Sequence, residues 1–500
     1  MTDHGTVDLA IIGGGVNGAG IARDASGRGL TVLLCEKGDL AEGTSSRSGK
    51  LVHGGLRYLE YYEFRLVREA LIEREVLLRS APHIIWPMRF VLPHSPEQRP
   101  AWMVRTGLFL YDHLGGRKML PGSRKLDLRR APEGRAIKKD YTTAFEYSDC
   151  WVDDARLVVL NALDAHQRGA TVLTRTAATA ARRGDDGLWA VTMKGADGAT
   201  STVRARALVN SAGPWVEDVV GRVAGRNSSY RVRLVKGSHI VVPKFWDGPQ
   251  AYLFQNDDKR VIFVNPYEGN LCLIGTTDIP YTGRPEEASI DQAEIDYLLK
   301  VVNRYAAEPL HESDIVSSFS GVRPLYDKDA EADASAVTRD YVFEVDDPAG
   351  HPPLLSVFGG KITTFRKLAE HALDKLAKTF PAMGKAWTAD ATLPGGDLPN
   401  ADFGAFLSAL RAEYPWLPAD LAEHYAHLYG TRARQLLGGA KSLDALGHPH
   451  GRLLYEREVD FLRETEWAVT PADVLTRRTK HGLHMSADEK RDFERWMEAA

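Results

Sequence analysis

The stretch LAIIGGGVNGAGIA (residues 9–22) joins an apolar run to a cluster of glycines and then to a segment of small residues. Its first half predicts a buried parallel strand, its second half predicts a helix, and LTVLLCE (residues 30–36) predicts the strand that completes a β–α–β unit. In such a unit Gly13 permits the tight turn, Gly15 lets a pyrophosphate approach the backbone, and Gly18 lets the helix pack closely on the strand. The pattern therefore predicts a site for a phosphate-bearing cofactor.

Glu36 stands at the end of the second predicted strand. A carboxylate at this place in a β–α–β unit can accept hydrogen bonds from a ribose, while the N–H groups at the start of the helix face the phosphates. A dinucleotide is the prediction, and a purely structural glycine turn is the alternative. At this point NAD and FAD both remain open.

The bulk composition narrows the class of protein. The chain has 500 residues, enough for two or three domains, and a net charge of −4, which argues against a broad nucleic-acid surface. Its three cysteines are scattered without a C-x-x-C pair, so we expect neither a disulfide framework nor a zinc site, and no clustered carboxylate–histidine set stands out as a metal centre. No run of about 18 apolar residues predicts a transmembrane helix, and the N-terminus does not read as a signal peptide.

Three further stretches extend the cofactor hypothesis. GTSSRSGKLVHGGLRYLE (43–60) is rich in hydroxyls, glycines and cations, which suits a diphosphate and a flavin ring, although a solvated loop is the alternative. RALVNSAGPWVEDVV (206–220) and PLLSVFGGKITTFRKLAEHAL (353–373) each predict a strand that ends in a glycine turn. Turns so far apart in sequence indicate one extended cofactor that contacts a long domain, and a helix N-terminus beside a flavin stabilises its reduced anion.

A set of motifs along nearly the whole chain resembles the FAD-dependent glycerol-3-phosphate dehydrogenase family, within the glycine-oxidase and D-amino-acid-oxidase superfamily. The motifs are the N-terminal GxGxxG, TSSRSGKLVHGGLRYLE (44–60), FEYSDCWVDDARLV (145–158), KGSHIVVP (236–243), IGTTD (274–278), SGVRPL (320–325), TRDY (338–341), SVFGGKITTFRKLAEHAL (356–373) and YEREVDFLRETEWAVTPADVLTRRTKHGL (455–483).

The resemblance implies an α/β fold in which a Rossmann-like FAD-binding domain is interleaved with an antiparallel β-sheet substrate domain, followed by a C-terminal helical domain. The break TLPGGDLPN (392–400) and the helical patterns beyond it agree with the last of these. The expected boundaries are 1–80, 145–225 and 350–385 for the FAD-binding domain, 81–144 and 226–349 for the substrate domain, and 392–500 for the helical domain.

The resemblance also implies a reaction, the oxidation of sn-glycerol 3-phosphate to dihydroxyacetone phosphate, with a hydride passing from C2 to flavin N5. A phosphate dianion needs several cations, and Arg57, Arg323 and Arg339 stand in the shared motifs. Lys361 is expected at the substrate or the flavin edge. A base must take the hydroxyl proton; His239 is preferred for this role over His53, which could instead orient the flavin.

The residues expected to contact FAD lie in the glycine turns, in the hydroxyl-rich loop and at the end of the strand TVLTRT (171–176). They are Gly13, Gly14, Gly15, Asn17, Gly18, Glu36, Thr44, Ser45, Ser48, Lys50, Leu51, Ala177, Ala178, Ala212, Gly213, Gly359, Gly360, Lys361, Ile362 and Thr363.

Electrons in this family pass to a membrane quinone, which implies a cytoplasmic enzyme on the inner face of the cytoplasmic membrane. The stretch RPAWMVRTGLFLYDHLGGRK (99–118) combines Trp102, Phe109 and Tyr111 with flanking cations, as an interfacial element does, although a core helix is the alternative. The functional alternatives are a glycerol-3-phosphate oxidase that uses oxygen, an amino-acid oxidase of the same fold, and a flavin-binding regulatory protein without turnover. A homodimer also remains open.

Overall fold

The computed structural model describes residues 2–95, 97–228, 230–258, 260–327 and 340–499. Two sheets carry the strands, which are β1 (Thr2–Ile12), β2 (Val32–Cys35), β3 (Leu51–Val52), β4 (Ile85–His94), β5 (Arg124–Asp127), β6 (Thr143–Val152), β7 (Thr171–Leu173), β8 (Thr176–Arg183), β9 (Trp189–Gly195), β10 (Thr200–Asn210), β11 (Arg231–Pro243), β12 (Ala251–Gln255), β13 (Val261–Tyr267), β14 (Leu271–Gly275), β15 (Ile279–Pro280), β16 (Ser317–Asp327), β17 (Val342–Asp346) and β18 (Leu354–Phe358).

The α-helices surround these sheets and form most of the C-terminal part. They are α1 (Val16–Gly27), α2 (Phe64–Ser80), α3 (Ala101–Leu114), α4 (Asp154–Gln167), α5 (Val216–Asp218), α6 (Gln292–Tyr305), α7 (Phe365–Lys375), α8 (Phe403–Glu413), α9 (Ala419–Tyr429), α10 (Ala433–Leu437), α11 (Glu456–Glu466) and α12 (Ala487–Ala499).

The first sheet has eight strands, and most of its core is parallel. Its order is β17-β18-β10-β1-β2-β7, with the β8–β9 hairpin attached to β10. The pairs β18–β10, β10–β1, β1–β2 and β2–β7 are parallel. Helix α1 packs against α4 and α7, and it does so closely because a Cβ on Gly20 would lie 2.8 Å from the ring of Phe365.

The second sheet has ten strands in the order β15-β11-β14-β13-β12-β4-β6-β3, with β16 paired to β11 and β5 paired to β6. Its pairings are antiparallel except for β12–β4. Helix α6 packs on one face, where Ile240, Ile262 and Ile274 are buried. The opposite face of the sheet lies against the loop that joins β2 to β3. The predicted fold class is confirmed.

The strand pairing departs from the predicted domain boundaries at three strands. Strand β3 and residues 145–152 of β6 fall in segments expected to belong to the FAD-binding domain, yet both strands pair in the antiparallel sheet. Strand β17 falls in an expected substrate segment but pairs with β18 of the parallel sheet. Hydrogen bonds between distant segments decide which sheet a strand joins, and local sequence does not encode them. The domain boundaries themselves stay a prediction.

Buried ion pairs attach the C-terminal helices to the rest of the chain. The guanidinium of Arg478 donates to both oxygens of Asp39, at 2.7 and 2.8 Å, and both side chains are fully buried. Arg156 on α4 pairs with Glu466 of α11. Burial opposes ionisation of Glu466, but Arg156 and Arg432 outweigh it and hold the pKa of that carboxyl at about 2. The C-terminal helices are therefore fixed by charge pairs that water does not screen.

If these ion pairs hold the C-terminal helices in place, two arginine variants should differ in how much unfolding free energy they lose. Arg478→Ala should lower the free energy of unfolding by about 3–5 kcal/mol, because it leaves part of a buried charge cluster unpaired. The matched control is Arg452→Ala: the Arg452 side chain is 79% exposed in its pair with Asp420, and its loss should cost about 1 kcal/mol or less. Chemical denaturation of both variants checks this, and equal effects would contradict the docking role of Arg478.

Candidate active site

Three strand-to-glycine turns lie side by side at one edge of the parallel sheet, because β1, β10 and β18 are neighbours. Gly13 has a φ of +111°, and a Cβ there would lie 2.6 Å from the carbonyl oxygen of Ser211, in the turn that follows β10. The side-chain amide of Asn17 donates to the carbonyl of Gly359, in the turn that follows β18, at 3.2 Å. The turns predicted from distant segments thus form one cradle around the start of α1.

Two glycines of the first turn have different roles. A Cβ on Gly18 would lie 1.9 Å from the carbonyl oxygen of Gly13, so Gly18 is required for packing within the cradle. A Cβ on Gly15 would meet only the Ser45 hydroxyl, at 3.2 Å, so Gly15 faces an open side. The next amide, that of Val16, donates to the same hydroxyl at 3.0 Å. Gly15 and Ser45 therefore flank the position where α1 presents its N–H groups.

The Glu36 carboxylate lies beside this turn. It accepts hydrogen bonds from the N–H of Gly14 at 2.6 Å and from that of Gly38 at 2.9 Å. Burial raises the pKa of the Glu36 carboxyl, and these two backbone donors oppose the rise. The carboxylate is thus held at the end of β2, where the sequence predicted a ribose contact.

Ala177 and Ala178 were expected at the end of a strand 171–176, and that expectation is wrong. The strand β7 stops at Leu173, and the two alanines belong to β8, which begins at Thr176 and runs antiparallel to β9. The left-handed conformation of Arg175, with a φ of +50°, reverses the chain between the two strands. Both alanines still lie near Glu36, since the Thr176 N–H donates to the Glu36 carbonyl at 2.7 Å.

The cradle fits the dinucleotide part of FAD. N–H groups at the start of α1, a fixed carboxylate for the ribose and glycines that expose the backbone are the features such a ligand needs. In addition, the side-chain oxygen of Asn17 is buried without a hydrogen-bond partner among the described residues, so a donor group is missing beside it. Ala212 and Gly213 belong to the second turn, and Gly359, Gly360 and Lys361 to the third.

The loop 43–50 connects the cradle to the antiparallel sheet. The hydroxyl of Thr44 donates to the carbonyl of Val322 on β16, at 2.6 Å. At the other end of the loop, Asp154 at the start of α4 accepts from the Ser48 hydroxyl at 2.7 Å and from the Lys50 ammonium at 2.8 Å. The side chains of Ser48 and Lys50 are therefore held by Asp154, so these two residues can offer a ligand chiefly their backbone groups.

One row across the antiparallel sheet carries the preferred base. Strand pairing sets Phe319, His239, Gly275 and Phe263 opposite one another on β16, β11, β14 and β13. The His239 ring stacks on Phe319 with centroids 4.9 Å apart, and it leans over Gly275, where a Cβ would lie 2.2 Å from its Cδ2 atom. Gly275 thus makes room for the imidazole.

His239 is electrostatically set to be neutral. Burial, reinforced by the positive charges of Lys50 and Arg323, lowers the pKa of His239 to about 3. Neither ring nitrogen has a hydrogen-bond partner within the described residues. A neutral imidazole with a free nitrogen can accept a hydrogen bond from a hydroxyl, but a pKa of about 3 makes it a weak base, so it serves as a general base only when an anionic substrate raises that pKa.

The predicted phosphate-binding cations lie on different elements. Arg323 lies four residues from Phe319 on β16, on the same face as His239, and its guanidinium donates to Asp278 at 3.0 Å. Arg57 lies on the short 3-10 helix Leu56–Tyr61, and its Nε is buried without a partner among the described residues. Lys361 approaches the same helix, with its ammonium 4.0 Å from the centroid of the Tyr58 ring. Arg339 lies outside the described residues.

His53, the rival base, lies near this row. Its backbone N–H and the hydroxyl of Thr363 are 3.2 Å apart, and its ring meets Phe263 edge-on at a centroid distance of 6.0 Å. Thr363 belongs to the 3-10 turn Ile362–Thr364 that leads into α7. His53 therefore links the third turn to the sheet face that carries His239.

Sequence reasoning missed several residues that shape the site. Asp154 and Asp278 hold the loop and Arg323 respectively, and Phe319 supports His239. Asp154 follows Asp153, whose carboxylate caps α4, so an acidic pair ahead of a helical run was an available signal. Asp278 ends the motif IGTTD (274–278), so it also stood in a stretch that the sequence singled out, whereas no local signal pointed to Phe319, which strand pairing alone brings opposite His239.

Comparison with known proteins adds to this geometry. Residues 8–366 match the family described as "FAD dependent oxidoreductase", and residues 386–493 match the "C-terminal domain of alpha-glycerophosphate oxidase". A glycerol-3-phosphate dehydrogenase of Pseudomonas aeruginosa is 53% identical, with 97% of this chain and 93% of the relative covered. The chain belongs to the FAD-dependent glycerol-3-phosphate dehydrogenase family. FAD is its cofactor.

Two other family members have names that give different substrates. The aerobic glycerol-3-phosphate dehydrogenase of Escherichia coli is 51% identical, with 98% of this chain and 97% of that protein covered. A protein of Brucella abortus named D-erythritol 1-phosphate dehydrogenase is 62% identical, with 100% and 99% covered. Among solved structures, the FAD complex of a Bacillus halodurans glycerol-3-phosphate dehydrogenase matches with a TM-score of 0.76, 27% identity, and 99% of this chain and 94% of that chain covered.

The cradle predicts that a side chain at position 15 blocks cofactor binding without unfolding the protein. Gly15→Leu should purify folded but with far less than the expected one FAD per chain, because the leucine occupies the side where the pyrophosphate approaches. Gly439→Leu is the matched control, since a Cβ at Gly439 meets nothing within 4 Å and the site is remote from the turns. Flavin absorbance per chain measures the outcome, and normal FAD content in Gly15→Leu would contradict the assignment.

The depressed pKa of His239 predicts a pH effect on stability. The unfolded chain binds a proton at this histidine below about pH 6.5, whereas the folded chain resists protonation down to about pH 3. The stability contributed by the neutral ring is thus complete above pH 6.5 and is lost progressively as the pH falls toward 3. At about pH 5.5 the loss from this group is about 1.4 kcal/mol.

His239→Gln removes this proton uptake. Between about pH 7.5 and 5.5, the variant should therefore lose about 1.4 kcal/mol less unfolding free energy than the wild type. Denaturant titrations of both holoenzymes at the two pH values measure the difference. Equal losses would show that His239 is not buried in its neutral form.

Proposed function

We propose that this chain oxidises sn-glycerol 3-phosphate to dihydroxyacetone phosphate with FAD as the oxidant. The observation that carries the proposal is that a neutral His239, whose ring nitrogens have no hydrogen-bond partner among the described residues, shares one sheet face with the cation Arg323, beside the loop that leads from the cofactor cradle. An alcohol that bears a phosphate ester requires both a proton acceptor and a cation. Amino-acid substrates require a cation for a carboxylate but gain nothing from a second phosphate-binding arginine.

The residues of the chain take distinct roles in this reaction. FAD, when bound, would supply the acceptor for the hydride that leaves C2. His239 takes the proton of the C2 hydroxyl on a free ring nitrogen, and His53 is the alternative. Arg323 binds the phosphate, with Arg57, Arg339 and Lys361 as further cations. In the described structure Asp278 is the carboxylate partner of Arg323, so the phosphate would replace or share that partner.

D-erythritol 1-phosphate is a second candidate substrate. The relative of that name is 62% identical over the whole chain, against 53% and 51% for the two glycerol-3-phosphate dehydrogenases. Both candidates present a phosphate dianion and a secondary alcohol, so Arg323 and His239 would serve either of them. The two differ by one hydroxylated carbon, and the pocket must tolerate that carbon if erythritol phosphate is the substrate.

Arg323→Ala tests the proposal in a dye-linked assay with three substrates. Its kcat/KM for sn-glycerol 3-phosphate should fall about a hundredfold, because a charge-assisted contact to a dianion is lost. The variant Arg323→Lys should recover only part of this kcat/KM, since an ammonium lacks the planar fork of a guanidinium. The slow oxidation of glycerol should hardly change, since glycerol has no phosphate. If the wild type has a higher kcat/KM for D-erythritol 1-phosphate than for glycerol phosphate, then erythritol phosphate is the substrate, and the roles of Arg323 and His239 are unchanged.

The same assay separates the remaining alternatives. An equal loss on glycerol and glycerol phosphate, at normal flavin content, would move Arg323 from phosphate binding to the hydride-transfer step. Turnover that consumes oxygen as fast as it reduces the dye would favour an oxidase. Turnover of an amino acid, or of no substrate at all, would favour the amino-acid oxidase or the regulatory protein.

A surface on α3 supports peripheral membrane contact and a quinone acceptor. Trp102 and Phe109 are 66% and 59% exposed, and Leu110 is exposed beside them. Tyr111, expected on the same apolar surface, is instead buried, because its hydroxyl donates to Asp149 and accepts from the Gly54 N–H at 2.7 Å. Helix α3 thus has one core face and one exposed aromatic face. Within the described residues, no helix has the length and apolar character to cross a bilayer.

This surface predicts membrane binding that depends on the exposed apolar side chains of α3, which include Trp102, Met103, Phe109 and Leu110. The wild type should sediment with liposomes that contain anionic lipid at low salt, and replacement of Trp102, Phe109 and Leu110 by glutamine should release it. Replacement of Val316 and Val469, which are exposed elsewhere, is the control and should leave binding unchanged. A wild type that stays in the supernatant would contradict the membrane role of α3 and leave the quinone without support.

A further inference from the structure

A buried histidine–glutamate cluster lies in the C-terminal helices, away from the candidate active site. His424 on α9, Glu458 on α11 and His481 after the π-helix Asp473–Arg478 each offer a ligand atom, and these atoms lie within 4.8 Å of one another. The sequence predicted no clustered carboxylate–histidine set. The structure brings one together because the three residues come from separate segments that meet only in the fold.

Hydrogen bonding alone does not satisfy this cluster. The Nε2 atom of His424 is 2.8 Å from Oε1 of Glu458 and 3.1 Å from Nε2 of His481. A ring nitrogen carries either one proton or one lone pair in the ring plane, so it can donate or accept but not both. If His424 donates to Glu458, it has no lone pair left for His481. The three atoms face one another with too few protons between them.

The charge of Glu458 is also poorly balanced. Its side chain is fully buried, and its Oε2 atom has no hydrogen-bond partner among the described residues. Its Oε1 atom accepts from the Tyr429 hydroxyl at 2.7 Å, which is a neutral donor. The imidazole of His424 is the one ion-pair partner that the described part of the chain records for this carboxylate. A buried carboxylate in such a position is stabilised by a cation that lies against both oxygens or beside them.

We propose that His424, Glu458 and His481 bind a divalent transition-metal ion of the zinc class. Two imidazole nitrogens and one carboxylate oxygen are ligands that Zn²⁺ prefers, whereas Ca²⁺ and Mg²⁺ prefer oxygen alone. Metal–ligand bonds of about 2.0–2.1 Å in a tetrahedral site separate neighbouring ligand atoms by roughly 3.3 Å. Two of the three present separations, 2.8 and 3.1 Å, need to widen by only a few tenths of an ångström, and the third, between Glu458 and His481, is within 4.8 Å. Tyr429 then orients the carboxylate from outside the site, as outer partners of metal ligands do.

The position of the site indicates a structural role. Lys480, the residue before His481, forms a buried ion pair with Asp153, whose carboxylate caps α4. The next residue, Asp154, holds Ser48 and Lys50 of the loop 43–50. A metal ion at His481 would fix the turn that carries Lys480 and thereby hold the C-terminal helices against the segment that supports the flavin loop.

The test measures metal content of the holoenzyme after removal of any affinity tag. Dialysed wild type should retain about one zinc per chain, and X-ray absorption at the zinc edge should show nitrogen and oxygen ligands with two imidazoles. His481→Gln and Glu458→Gln should each weaken zinc affinity at least about tenfold. The matched control is His448→Gln, which removes an exposed imidazole from the same helical region.

Thermal unfolding gives a second readout that does not depend on catalysis. Added zinc should raise the Tm of chelator-treated wild type and of His448→Gln, because an ion that binds the folded state stabilises it by mass action, and should leave the Tm of His481→Gln unchanged. Wild type that binds no zinc or cobalt above background would overturn the proposal. Equal metal content in wild type and His481→Gln would also overturn it, whether or not the variant folds less well.

Discussion

The close approach of α1 to the turn after β1 is the constraint on which the rest of the structure depends. A Cβ atom at position 18 would lie only 1.9 Å from the carbonyl oxygen of Gly13, so only glycine fits there. The same compactness lets Ser211 reach the first turn and lets Asn17 reach Gly359. Because these contacts join three parallel strands at one edge, they define a single place where a long phosphate-bearing ligand can lie.

A buried carboxylate then positions the loop that connects this cradle to the second sheet. Asp154 fixes the loop 43–50 through Ser48 and Lys50, and that loop leads from the cradle to the face that carries His239. Lys50 forms an ion pair with Asp154, yet its positive charge still lowers the pKa of His239. The chain thereby keeps a buried imidazole neutral beside cations, and an anionic substrate that binds there would raise the pKa of that imidazole and so strengthen it as a proton acceptor.

Much of the fold could be predicted from sequence because its signals are local. The glycine spacing at residues 13–18 and the apolar strands beside it predicted the β–α–β unit, and the motif resemblance predicted the antiparallel sheet and the helical appendage. Pairing between distant segments could not be predicted: β6 and β17 join the sheet opposite to expectation, and Tyr111 faces Asp149 rather than solvent. The site followed the same rule, since His239 and Asp278 lie in motifs whereas Phe319 reaches His239 only through strand register.

The most direct measurement is reduction of the bound flavin in the absence of oxygen and of any electron acceptor. Rapid mixing of the holoenzyme with sn-glycerol 3-phosphate or D-erythritol 1-phosphate should bleach the visible flavin band within the turnover time, with about one equivalent of substrate consumed per FAD. His239→Gln should slow the bleaching far more than it weakens substrate binding. A flavin that neither polyol phosphate bleaches, or that an amino acid bleaches instead, would contradict the proposed reaction.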